Sequence, residues 1–292
     1  SFGWMIPIFG EFVSIGERDP QDFADLFDWT QPNVERNYAS VEESGGCAGR
    51  AKSGDNALRA DTGYANDGVE IVAEGYTDSY TYQIIETDSS DAFLAWLDEH
   101  DWSTGGAEAA IEAYVEEGGV QFAAITLSDA AGTEWLPPLS LTYAGEAMRF
   151  PATMARQSMA ESIHTVVYVR GESTAEATGE WSSSALSLIE GDIGDDPTAL
   201  FEEELRALGG PQRGYGVVFS GPDVGGDWLT RLETIAAPAT HIADATFDFT
   251  GDQDHESVTV RLTEATSTQG AVWLLGPLAL LGAVWRRRRQ QA

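Results

Sequence analysis

Val69 to Leu127 reads VEIVAEGYTDSYTYQIIETDSSDAFLAWLDEHDWSTGGAEAAIEAYVEEGGVQFAAITL, and the order of elements inside it decides the fold class. Val69, Ile71 and Ala73, then Tyr76, Tyr80, Tyr82 and Ile84, fall mostly at alternate positions. That spacing predicts a strand pair, or one long bent strand, over residues 69–86. Ser89, Ser90 and Asp91 offer a helix cap, and Phe93, Trp96 and Leu97 share one helical face behind it. A second short helix is expected from Ala107 to Glu116, closed by Gly118-Gly119. Val120 to Leu127 is apolar enough for a central strand. Two strands, two helices and a strand in succession lack the alternating rhythm of a parallel α/β sheet, so the expectation is α+β, a mixed and mainly antiparallel sheet with peripheral helices.

The flanks fit that reading. Trp4 to Phe9 predicts a buried strand with Pro7 at an edge or bulge. Asp19-Pro20 starts a helix carrying Phe23, Leu26 and Phe27, which Pro32 stops. Residues 34–68 are rich in Gly, Ser, Asp and Asn and read as a loop insertion. A strand region broken by Pro137-Pro138 spans Trp135 to Phe150. Ile163 to Arg170 (IHTVVYVR) is β-branched and strand-like. Residues 172–197 read as a polar surface excursion, Thr198 to Leu208 as a helix ended by Gly209-Gly210, and Val217 to Phe219 as a short strand. Trp228, Leu229, Leu232 and Ile235 predict a last amphipathic helix, with Phe247, Phe249, Val258, Val260 and Leu262 on edge strands. An acidic exported domain of residues 1–250 would then lead into a polar stalk, 251–269.

Gly270 to Trp285 (GAVWLLGPLALLGAVW) is unbroken and apolar, and Arg286, Arg287, Arg288 and Arg289 follow at once. As a helix it would measure about 24 Å, short of a hydrocarbon core of about 30 Å. Trp273 and Trp285 suit the interfacial belts and arginine can snorkel, so the sequence predicts one transmembrane helix, 270–285, and a cytoplasmic tail, 286–292. The tail resembles the C-terminal sorting signals of bacterial exported proteins. Where those carry a processing motif this chain reads Ser267-Thr268-Gln269-Gly270, and a permanent anchor is expected.

All 48 acidic residues precede Gly270, whereas four of the 16 basic ones follow it, and the net charge is −32. Such a surface excludes phosphate-backbone binding, so no nucleic-acid partner is expected and the membrane, through residues 270–289, is the one partner the sequence names. Lys52 is the only lysine, a composition bias without catalytic meaning. Cys47 stands alone in a Ser-Gly-Gly-Cys-Ala-Gly loop. In an exported chain that opens on Ser1, it predicts an upstream segment holding a signal peptide and a partner cysteine.

Several segments, in order, resemble one family. They are Phe2 to Ile8 (FGWMIPI), Asp22 to Asp28 (DFADLFD), Tyr80 to Trp102, Leu136 to Leu139 with Arg149 to Pro151, and above all Trp228 to Phe247 (WLTRLETIAAPATHIADATF). Together they are similar to the exported bacterial proteins catalogued as domain of unknown function 2330, over roughly residues 2–249. The resemblance implies a bacterial cell-envelope location. It implies no activity and carries over no catalytic residue.

The chain singles out no catalytic, cofactor-binding or metal-ligating residue. Asp252, Asp254, His255 and Glu256 lack the spacing of a calcium loop and read as a solvated turn, as do Asp192, Asp195 and Asp196. Gly209 to Gly216 lacks the Lys-Ser/Thr of a phosphate loop. His100, His164, His241 and His255 cannot be placed beside Cys47, and no nucleophile elbow or zinc motif occurs. Trp135, Trp181 and Trp228 read as core before they read as a sugar or peptide surface, and Arg231 as a salt-bridge partner before an anion site. The expected function is a non-catalytic binding or structural ectodomain of the envelope. The alternatives are an envelope hydrolase or metal-dependent enzyme using acidic residues, and a calcium-stabilised adhesion module.

Overall fold

The computed structural model describes residues 3–38, 64–66, 68–128, 136–145, 147–156 and 161–264. The Val69–Leu127 stretch builds a five-stranded antiparallel sheet. Its strands are β1 (Gly3–Ile8), β4 (Tyr64–Asn66), β5 (Val69–Tyr76), β6 (Tyr80–Thr87) and β7 (Gln121–Leu127), in the order β1-β7-β6-β5-β4. Both faces of this sheet are covered over its central part, so apolar residues run consecutively there, as in Ile84-Ile85 and Phe122 to Ile125. On one face lie the helices α2 (Ser90–Glu99) and α3 (Glu108–Glu117). Phe93, Trp96, Leu97, Ile111 and Tyr114 pack there on Val69, Ile85, Phe122 and Ala124. The Ser89 hydroxyl caps α2 by accepting from Ala92 N, and Gly118, at φ 77°, ends α3. The opposite face is closed by β2 (Glu11–Glu17) paired antiparallel with β8 (Leu139–Ala144), around Ile8, Ile15, Tyr80, Tyr82 and Ile84.

The remaining elements form a second set of sheets. β10 (Ile163–Gly171), β15 (Trp228–Ala236), β14 (Gly214–Pro222) and β12 (Ser182–Ala185) follow in that order, β12 lying parallel to β14, and β17 (Glu256–Ser257) also pairs with β14. Over one face lies β11 (Ala175–Thr178)–β16 (Ala245–Phe249)–β9 (Met148–Phe150), with Trp181, Tyr215, Leu232 and Phe247 between. The other face carries α1 (Pro20–Trp29), capped by Asp19, and α5 (Pro197–Leu208), capped by Asp196. Phe201 and Leu205 of α5 pack on Val218, Ile235, Val258 and Val260. A parallel ladder, β13 (Leu188–Asp192)–β18 (Thr259–Thr263)–β3 (Asn33–Asn37), completes this half.

The α+β expectation holds: antiparallel pairing dominates and helices are few. Four local expectations do not. Trp228 to Ile235 is no helix but β15, a central strand buried on both faces from Leu229 to Ala236. Its apolar residues fall at helical spacing because both faces need them, and of the polar residues between, Arg231 and Glu233 form an ion pair while Thr230 accepts from Ala175 N. Residues 172–197 are not an excursion but contain β11, β12 and β13, and β3 and β4 lie in or beside residues 34–68. Neither Phe247 and Phe249 nor Val258 to Leu262 lie at an edge, since β16 and β18 are each the middle strand of a three-stranded sheet. Among the described residues no helix is long and apolar enough to cross a membrane. The apolar run 270–285, Cys47 and Trp135 lie outside them.

The two halves meet at Asp244. Its carboxylate accepts from Tyr114 Oη at 2.9 Å, Thr153 N at 2.9 Å and Arg149 Nε at 2.8 Å. Arg149 also holds Glu117 with both terminal nitrogens, at 2.6 and 3.0 Å, and stacks 4.1 Å above the Phe9 ring. Burial, then the Asp244 charge, push the Tyr114 hydroxyl far above its ordinary pKa, so it stays a donor.

Candidate functional site

The register of the first sheet leaves part of its helix-bearing face open. Tyr76, Thr81, Thr126 and Gly3 are direct cross-strand partners on four neighbouring strands, and Glu74, Gln83, Ala124 and Met5 form the next row. The row beyond is Ile71, Ile85 and Phe122, where α2 and α3 sit. A bulge between Ile71 and Ala73 keeps Glu74 and Tyr76 on this face. The sequence thus changes from large and apolar under the helices to small and polar beyond them.

Trp102 walls this open floor. It follows α2 through Asp101, whose φ of 59° turns the chain, and Trp102 N donates to Leu97 O at 2.8 Å. Its ring lies directly over Gly3, where a Cβ would come within 2.6 Å of Cη2, so only glycine seats it there. At the far end stands Tyr76, 77% exposed. Between them is a groove of about 420 Å³ whose floor carries Thr81, Thr126, Gln83 and Glu74. Gln83 Nε2 reaches Glu74 only at 3.4 Å, a weak bond that leaves both groups available to a ligand. Hydroxyl, amide and carboxylate together offer donors and acceptors, with one charge.

A second groove, of about 400 Å³, runs between α1 and β10, lined by Phe23, Ala24, Phe27, Asp28, Val166 and Tyr168. Beneath it lies a buried ion pair with a half-exposed histidine beside it. Arg231 is 1% exposed and Glu233 0%. Arg231 Nε lies 2.5 Å from Glu233 Oε1, off the N–H direction. Arg231 Nη1 donates to Thr30 Oγ1 at 3.0 Å and Phe27 O at 3.3 Å, and the guanidinium sits 4.6 Å from the Phe27 ring centre. Glu233 Oε2 meets His164 Nε2 at 2.5 Å. A buried carboxylate that orients a half-exposed imidazole resembles the base pair of hydrolases. Among the described residues no hydroxyl or thiol is hydrogen-bonded to His164. Arg231 does pair with a carboxylate, but with the buried Glu233 inside a sheet rather than with the acidic surface from a helix.

The other candidates are structural. Asp195 accepts from Asp192 N and Asp196 caps α5, both in a turn. Burial, then Asp254 and Glu176, raise the carboxyl of Glu256 above its ordinary range. His255 packs edge-on to Phe219, and no group of three potential metal ligands occurs among the described residues. Gly209 to Arg213 is the turn into β14, and Gly214 to Gly216 are the first residues of that strand. Trp181 is core, between Tyr215 and His241 with its indole donating to Ala243 O, and Trp228 donates to Ser220 Oγ. His100 stacks on Trp96. Sequence reasoning missed Trp102 and Tyr76. The available signal was the polar substitution, Thr81 and Gln83, at alternate positions of an otherwise apolar strand.

Compared with family models, curated proteins and solved structures, the chain matches none of them.

Proposed function

We propose that this chain is a non-catalytic binding ectodomain of a bacterial cell envelope. Residues 270–285 tether it as a single membrane span, with Arg286 to Arg289 on the cytoplasmic side. The apolar run beside fixed positive charge supports the tether and its orientation. The acidic residues, all N-terminal to the run, support an outward-facing domain, and so does the resemblance to the exported family. The observation that carries the binding role is the open floor between Trp102 and Tyr76. Strands paired into the sheet hold polar groups there, and among the described residues only the weak Gln83–Glu74 bond uses them.

Protease added to intact cells tests the address: the N-terminal domain should be digested and the arginine tail protected. Recovery of the unprocessed chain in the soluble cytosolic fraction overturns it. The second reading, an envelope hydrolase, is favoured by the His164–Glu233 contact. It requires a cleaved product that disappears in His164→Gln. The binding reading requires the bound ligand to be recovered chemically intact.

A further inference from the structure

We propose that the groove between Trp102 and Tyr76 binds a neutral saccharide chain, with the sugar rings stacked against the two aromatic walls and their hydroxyls on the polar floor. This rests on the binding role proposed above and names its ligand.

The chemistry of the floor and walls selects the ligand. A pyranose has an apolar C–H face, slightly positive, which packs on the negative face of an aromatic ring. Around its rim it carries hydroxyls that each donate and accept. Thr81 and Thr126 can do both, Gln83 offers a donor and an acceptor on one planar group, and Glu74 accepts. Tyr76 and Gly3, beneath Trp102, lie three strand spacings apart, about 14 Å. That is longer than one ring and suits a short oligosaccharide.

Other ligand classes fit worse for stated reasons. Among the described residues that line the floor the one charge is the Glu74 carboxylate, in a chain of net charge −32, so phosphates and acidic glycans are repelled. A quaternary ammonium or lysine would want rings closed around one point within about 6 Å, whereas these walls stand at opposite ends of the row. An extended peptide gains most of its affinity by pairing with a free strand edge. Here the floor is mainly the face of β5, β6 and β7, each already paired along both edges, and the edge strand β1 reaches it only with Gly3 beneath Trp102 and Met5 beside it.

The test uses the full-length chain in detergent micelles and titration calorimetry. The probes are neutral hexasaccharides of glucose, mannose and N-acetylglucosamine. Polygalacturonate, tetramethylammonium and an unstructured neutral peptide are the comparisons. At least one neutral hexasaccharide should bind, and Trp102→Ala and Gln83→Leu should each weaken it by about tenfold or more. Tyr76→Ala, at an exposed position, guards against simple unfolding: it should weaken binding with the melting temperature unchanged. Phe23→Ala, on the other groove, should leave binding intact. If no neutral saccharide binds, or if binding survives both Trp102→Ala and Tyr76→Ala, the saccharide assignment is overturned. If the peptide or the ammonium ion binds instead and loses that binding in Trp102→Ala, the saccharide falls while the binding role stands. If nothing binds in a way that depends on Trp102, both fall.

Discussion

Arg231 and Glu233 stand two positions apart on β15 and bury opposite charges side by side, Nε to Oε1 at 2.5 Å, under the first helix. Neither has water to fall back on. Arg231→Met leaves a fully buried carboxylate with only His164 beside it, and the expected loss is about 3–5 kcal/mol of folding stability. Replacing both residues with Met and Leu should recover most of that loss, because two charges then no longer need desolvating. Urea unfolding of the single and double variants reads this directly. A single variant that loses under about 1 kcal/mol would show the pair contributes little.

The joint between the halves makes a graded prediction. Asp244 takes donors from both halves, and its side chain is 4% exposed. Asp244→Asn removes the charge that Arg149 faces and should cost about 2–4 kcal/mol. Tyr114→Phe removes one hydrogen bond and should cost about 1 kcal/mol. If the joint couples the halves, Asp244→Asn should also turn one unfolding transition into two, seen by calorimetry.

His241 is buried with Nδ1–H donating to Ala237 O at 3.1 Å, while Nε2 has no partner. Burial lowers its pKa below the ordinary value. A lowered folded value means the neutral ring stabilises the fold fully above about pH 6.5, and that contribution is lost as the pH falls from there through the folded value. His241→Asn keeps the donor and removes the titration. Its stability should fall less steeply as the pH drops below about 6.5, by up to one proton's worth, about 1.4 kcal/mol per pH unit. Parallel acid slopes for the two proteins would refute the assignment.

Legibility followed locality. Ser89, the Phe93-Trp96-Leu97 face and Gly118 lie within a few residues of what they control, so the helices of the first half were readable with their ends. In β15 the apolar set Trp228, Leu229, Leu232 and Ile235 mimics a helical face, because a strand buried on both sides no longer alternates. What makes it a strand is pairing with β10 and β14, the former lying well back along the chain, with Val167 opposite Leu232. β11, β12 and β13 are Ser-, Ala- and Gly-containing segments with little propensity of their own, and become strands through partners on β16, β14 and β18. The groove was half visible. Thr81 and Gln83 could be placed on one face of β6, but which part of that face stays open depends on where α2 and α3 end above it.

Gly3 offers the sharpest structural check on that groove. A methyl group there would come within 2.6 Å of the Trp102 ring and 2.9 Å of Ile125 O, so something must shift, and the indole is the freer neighbour. Gly3→Ala should cost about 1–3 kcal/mol and swing the ring away from its seat, altering the near-ultraviolet circular dichroism and weakening any ligand that depends on Trp102. At Gly16, on β2, a methyl group would meet nothing within 4 Å, and Gly16→Ala should change stability by no more than about 0.5 kcal/mol. Equal effects from the two substitutions would mean that Trp102 does not rest on Gly3 in solution.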